Sequence, residues 1–327
     1  MSKSTLKANE IIAAIKNGDS IDSIKSRVSS NASEWHNYSA KAYNISLIEA
    51  KKQRKILSSQ KHVSATSNEE IDKLIMLNET LSDYAILMPS LSTMTDLKEI
   101  GALATQLPKS ESLIIKRVGQ LSLHPRLRML QKKGRLDQFK HFKNFSKMFD
   151  AAILCYYRTN FYSCYLTLIP IIEGVIIRWM GYTIGDTKPE FEEIRKFFQN
   201  SHQRQPCPGN ILFHNVYTKA CDKILNHHLY KPTDWGNSYA NFNRHVASHL
   251  LNDDEFATKE NCIRLFMLID AMTEIFLYES RMSDPRFNVR NDEIEAEINT
   301  LGRVITDNFE KTPEQIILGT NVSDLIL

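Results

Sequence analysis

Residues 145–182, FSKMFDAAILCYYRTNFYSCYLTLIPIIEGVIIRWMGY, set the tightest limit on what this chain can become. Apolar side chains recur there every three to four residues, the period of a buried helix face, and nowhere alternate as a strand would. Thr159 and Asn160 interrupt the run, so it reads as two long helices. Its most apolar part, CYLTLIPIIEGVIIRWM, carries Glu173 and Arg178. A lipid-spanning helix tolerates neither easily, so the segment reads as a core helix, and no membrane association is expected.

The rest of the chain keeps the same period. Only 11 glycines and 10 prolines punctuate 327 residues, which leaves long stretches free to be helical. Ile11, Ile12 and Ile15 share one face, Gly18 ends that helix, and Ile21, Ile24 and Val28 continue at helical spacing. A longer helix is expected from Ser33 to about Gln60. SNEE at 67–70 has the form of a capping box, and Pro89 stops the helix it opens. Another helix is expected over 95–107. KPEFEEIRKFFQN, GNILFHNVYTKACDKILNHHL, SYANFNRHVASHLL and TKENCIRLFMLIDAMTEIFLYESRM supply four more, the last with Thr258 as its N-cap. The expected fold is all-α: an antiparallel helical bundle over 137–283, preceded by a helical region over 1–136 and followed by an acidic amphipathic helix and tail over 284–327.

Charge is spread unevenly. Residues 1–140 hold 22 Lys/Arg against 14 Asp/Glu, and residues 283–327 hold 4 against 9. A basic front and an acidic tail point to a polyanion site or to contact between the two ends. Residues 109–143 are the most basic window, with ten Lys/Arg and two acids, and Lys132, Lys133 and Arg135 are its candidate RNA contacts. A solvated helix face would look the same. Five cysteines without C-x-x-C spacing, and no apolar leader, fit a reducing cytoplasm. No phosphate-binding glycine loop is present, so no cofactor is expected.

One polar stretch stands apart. NFNRHVASHLL, residues 241–251, places an arginine and two histidines inside a helical pattern whose apolar stripe would be Tyr239, Phe242, Val246 and Leu250. His245 and His249 lie one turn apart. Arg244 and His249 are separated by about 140° and roughly 7.5 Å along an ideal helix, so one straight helix does not pair them. The pattern resembles the R-x4-6-H motif of the HEPN superfamily, in the branches where NRH…H precedes an apolar helix, here FATKENCIRLFMLID. The resemblance covers roughly residues 140–282. It implies a metal-independent endoribonuclease in which Arg and His of two subunits meet at a dimer interface, as in prokaryotic toxins and anti-phage defence. Arg244 would then hold the scissile phosphate, His249 would move protons, His245 would orient the phosphate or His249, and Asn243 would assist by hydrogen bonding. The nucleophile would be the RNA's own 2′-OH. RNA and a second copy are the partners this implies, with a regulatory protein as a further candidate. Where related branches usually carry glycine after the final His this chain has Leu250, with Asn252 able to turn the helix instead.

Plainer readings compete. A lone histidine on a helix is more often a satisfied core residue. Arg244 could be a surface ion pair with an acid of NDDE. Glu173 needs a partner, Arg178 or Arg244, if it is buried. His245 and His249 could bind a metal only with further ligands that the neighbouring sequence lacks. A HEPN-like bundle that binds a protein or RNA partner without cutting is the alternative function.

Overall fold

The computed structural model describes residues 2–60, 67–249, 255–321, 323 and 325. Among them the chain forms sixteen α-helices and no strand, so the fold is all-α. In chain order these are α1 (Lys3–Lys16), α2 (Ile21–Val28), α3 (Ala32–Ser58), α4 (Asn68–Ser82), α5 (Met94–Ala104), α6 (Glu111–Leu123), α7 (Pro125–Gln131), α8 (Ser146–Tyr157), α9 (Phe161–Trp179), α10 (Phe191–Arg195), α11 (Ser201–Arg204), α12 (Ile211–Ile224), α13 (Arg244–His249), α14 (Lys259–Ser280), α15 (Asn291–Asp307) and α16 (Pro313–Leu318).

Local signals account for many of the boundaries. Ser67 and Glu70 close the capping box of α4. Asn160 accepts from the Ser163 amide and starts α9 just after Thr159, which sits at φ 59°. Thr258 accepts from the Asn261 amide and starts α14. KPEFEEIRKFFQN departs from expectation: only Phe191–Arg195 is helical, and Phe197 and Phe198 are buried from the irregular stretch that follows.

Two cores organise the packing. The smaller joins Ala8, Ile11, Ile24, Trp35 and Ala42 of α1–α3. The larger runs through α4–α9, α12, α14 and α15. The expected boundaries at 136 and 283 therefore do not separate cores. Leu81, Ile114, Val118 and Met129, before the first boundary, and Ile294 and Leu301, after the second, share the core of Leu168, Ile172 and Leu268. Each such residue contributes about 1.5–3 kcal/mol when buried, and α4 and α6 find that burial on α12 and α14. Trp35 Nε1 donates to the Gln203 carbonyl at 3.1 Å, and Tyr43 Oη lies 2.9 Å from His214 Nδ1, tying α3 to the larger core. By length and composition α9 could cross a membrane, but ten of its residues, from Phe161 to Trp179, are buried among other helices.

The uneven charge resolves into contact between the two ends. Arg126 Nη2 donates to Asn291 Oδ1 at 2.6 Å, Lys133 pairs with Glu297 at 2.6 Å, and Arg135 pairs with Asp284 at 2.7 Å. The basic α7 and the acidic α15 lie side by side.

Burial also tunes the histidines. His228 is 5% exposed; Nε2–H donates to the Ser82 carbonyl at 2.9 Å, and Nδ1 has no partner. Loss of solvation pushes its pKa down to about 4, as it does for His141 and His202. An unfolded histidine titrates near 6.5, so between 6.5 and 4 the unfolded chain binds more protons than the folded one. Stability should fall as pH drops through that window, by about 3 kcal/mol for His228 alone. Urea midpoints at pH 7 and pH 4.5 test this. His228→Gln, which keeps the donor without the titration, should flatten the difference, and an unchanged difference would refute the assignment.

Candidate functional site

The polar stretch is not one continuous helix. Tyr239–Asn241 forms a single 3-10 turn, with Ala240 and Asn241 at φ 51° and 55°, and α13 begins only at Arg244. Asn243 causes the late start. Its Oδ1 accepts from the amides of His245 at 2.8 Å and Val246 at 3.2 Å, capping the helix. Its Nδ2 donates to the carbonyls of Lys231 at 2.8 Å and His228 at 3.2 Å, and to Ser238 Oγ at 3.0 Å. Asn261 of α14 braces the same turn by donating to the Ala240 carbonyl at 2.8 Å. Asn243 is 1% exposed, so it holds the site in place rather than meeting a substrate. Asn243→Ala should cost about 1–2 kcal/mol through the lost cap and the stranded carbonyls, read by urea unfolding. A change below 0.5 kcal/mol, within the ~±0.5 kcal/mol of an ordinary surface substitution, would contradict this role.

This frame turns α13 differently from the expected stripe. Ala247 is the buried side chain of the helix, Phe242 is buried from the turn before it, and Val246 is half-buried. Leu250 and Asn252 lie outside the described residues. His245, Ser248 and His249 are exposed, and Arg244 is partly so. Arg244 Nη2 pairs with Glu173 Oε2 of α9 at 3.2 Å, and Lys188 Nζ pairs with Glu173 Oε1 at 2.7 Å. Two cations on one carboxylate leave a local excess of positive charge. Arg178, the other partner considered for Glu173, instead lies over the Phe145 ring. Arg244, His245, Glu173 and Lys188 line a cleft of about 370 Å³, with Pro189, Phe191 and Ile194 as its apolar wall.

His245, rather than His249, thus shares the cleft with Arg244. The rings of His245 and His249 are 4.4 Å apart between centroids, at 56°. Among the described residues no hydrogen bond, ion pair or ring contact joins Arg244 to His249, in keeping with their spacing. The arrangement offers a guanidinium with one donor engaged by Glu173, a second cation, and two solvent-facing imidazoles in contact. Such a set can bind a phosphate and move a proton. Lys188, which the sequence reading missed, lies fifteen residues from Glu173 in a segment without regular structure. No local spacing could have linked them.

Three further candidates are placed elsewhere. Arg135 is fully buried, pairing with Glu274 and Asp284. Lys132, 4% exposed, pairs with Asp137 at 2.9 Å and Asp150 at 3.1 Å. Both cations are buried and committed to carboxylates of the same chain, from buried Glu274 to exposed Asp150, so neither charge is available to an RNA backbone and both assignments are corrected. Lys133 is half-buried against Glu297. Arg128 is likewise buried, bidentate on Asp270 at 2.7 and 3.1 Å. Among the described residues no three His, Cys, Asp or Glu side chains gather as a metal site, and the five cysteines form no disulfide.

The chain matches no known family model, no curated protein and no solved structure.

Proposed function

We propose that the protein is a metal-independent endoribonuclease of HEPN type, in which Arg244 binds the scissile phosphate and His249 and His245 act on its protons. The observation that carries this reading is the solvent access of Arg244, His245 and His249 along the short helix α13. Arg244 is steadied by Glu173 inside a cleft, and His245 and His249 stand in contact beside it. A guanidinium held on one side by a carboxylate keeps its remaining donors for a phosphate, where its planar fork matches two oxygens. An exposed imidazole can take the 2′ proton and return one to the leaving 5′ oxygen. The products would be a 2′,3′-cyclic phosphate and a 5′-OH. Because Arg244 and His249 do not meet in one chain, a second copy related by a twofold axis supplies the missing group. A role in toxin or anti-phage systems follows from the same family likeness, while action in the cytoplasm rests on the five free cysteines.

The decisive experiment incubates the purified protein with labelled total RNA in EDTA, beside the Arg244→Ala/His249→Ala double variant. New 5′-OH ends from the parent alone support the reading, and intact RNA in both lanes removes it. The non-catalytic alternative draws on a different observation: Phe309, Ile316 and Ile317 are 75%, 66% and 78% exposed around α16. Exposed apolar side chains of this size suit a protein partner.

A further inference from the structure

A second cleft of about 720 Å³ opens beside the C-terminal half of α9. Its size falls within the ~300–1,000 Å³ usual for small-ligand sites. Lys140, His141, Phe145, Arg178 and Tyr182 contribute to its walls, and no carboxylate does. Lys140 and Arg178 are exposed and form no ion pair among the described residues, unlike Arg128, Lys132, Lys133 and Arg135 of the same basic segment. Arg178 lies 5.2 Å from the centroid of the Phe145 ring. Gly174 makes room for that ring: a Cβ there would sit 2.6 Å from Phe145 Cζ. His141 stacks on Trp179 at 6.0 Å and 14° and, held near pKa 4 by burial, is uncharged at neutral pH.

Unpaired cations, aromatic faces and the absence of acids are what a phosphate joined to a flat ring requires. We infer that this cleft binds one nucleotide unit, with its phosphate against Lys140 and Arg178 and its base against Phe145 or Tyr182. The inference goes beyond the nuclease reading, since it needs no cleavage. Glu173 and Gly174 are consecutive on α9, yet one lines the Arg244 cleft and the other this one. The two clefts therefore open on neighbouring faces of a single helix. The nucleotide can be free in solution or part of a single strand, and the chemistry of recognition is the same.

The test uses the full-length protein and fluorescence anisotropy with a labelled single-stranded 12-mer RNA, with AMP as competitor. Lys140→Glu/Arg178→Glu, which reverses two exposed charges, should weaken binding by more than about tenfold and reduce the salt slope, at about 0.7 per phosphate contact. Phe145→Leu should weaken it about fivefold by removing the aromatic face. Lys52→Glu/Lys98→Glu, two exposed lysines of α3 and α5, makes the same change of four charges, should match the parent and so controls for net charge. AMP competition that depends on Lys140 and Arg178 identifies a free nucleotide as ligand. Binding of the 12-mer without AMP competition identifies the strand. Equal affinity in the parent and the double charge reversal, with unchanged circular dichroism, overturns the inference. Binding lost in the double reversal while the parent cuts no RNA leaves this inference standing and removes only the nuclease reading.

Discussion

Arg244→Ala is expected to slow cleavage of single-stranded RNA by about 10²–10³-fold, measured as initial rate in EDTA with saturating substrate. The size follows from what a guanidinium does as negative charge builds on the phosphate: it offers fixed donors that need no reorganisation. Glu173 contributes by position. Its contact with Arg244 Nη2 at 3.2 Å holds the fork, and Lys188 at 2.7 Å offsets the carboxylate's charge. Arg244→Lys should recover little, since an ammonium can meet one oxygen where the fork meets two. His249→Ala should cost about 10²–10⁴-fold, the usual range for a lost proton-transfer group. His245→Ala separates the two imidazoles. If His249 moves the proton and His245 only orients it, the His245 variant loses less in rate and keeps the parent's pH profile. If the cleft geometry decides, with His245 beside Arg244, the order reverses. Arg244→Ala and His249→Ala proteins that both cut at the parent's rate would end the ribonuclease proposal.

How much of this was legible in the sequence differs by element. The all-α class was readable because helix caps and helical periods are local: Ser67, Asn160 and Thr258 cap the helices they open through bonds within three residues. The start of α13 was not, although Asn243 sits in plain view. Its capping bonds are local, but what fixes the turn before it are bonds to the backbone of Lys231 and His228 and a brace from Asn261. The polar character of residues 241–251 is plain in the sequence. Which residues face outward depended on that late start. The basic window was misjudged for a general reason. Composition counts charges without regard to depth, and Arg128, Lys132 and Arg135 are spent on carboxylates drawn from residues 137–284. Once those pairs are subtracted, the exposed lysines left in the window are Lys109, Lys116, Lys140 and Lys143, and of these Lys140 shares a cleft with Arg178 of α9.

That subtraction carries the other large prediction. Arg135→Met should destabilise the fold by about 3–5 kcal/mol at pH 7, the usual cost of breaking a buried ion pair from one side. Arg135 is fully buried, donates to Asp284 through Nε at 3.2 Å and Nη2 at 2.7 Å, and pairs with Glu274 of α14. Arg286 adds bonds to Asp284 at 2.8 Å and Glu274 at 3.3 Å. Removing Arg135 leaves two carboxylates on Arg286 alone. Burial disfavours the ionised Asp284, but hydrogen bonds from Arg135 and Arg286 outweigh it and hold its pKa far below the usual carboxylate range. Stability from a depressed carboxylate is present above the unfolded value near 3.9 and is lost as pH falls through the folded value. The gap between Arg135→Met and parent should therefore be full at pH 7 and narrow below about pH 4. Urea unfolding at both pH values measures it. Arg135→Met/Glu274→Met should be less destabilised than the sum of its single variants, because the second change removes a stranded charge. A single variant within 1 kcal/mol of the parent would show that Arg135 is not committed to the interior. It would then be free for the phosphate contact that its place in the basic window first suggested.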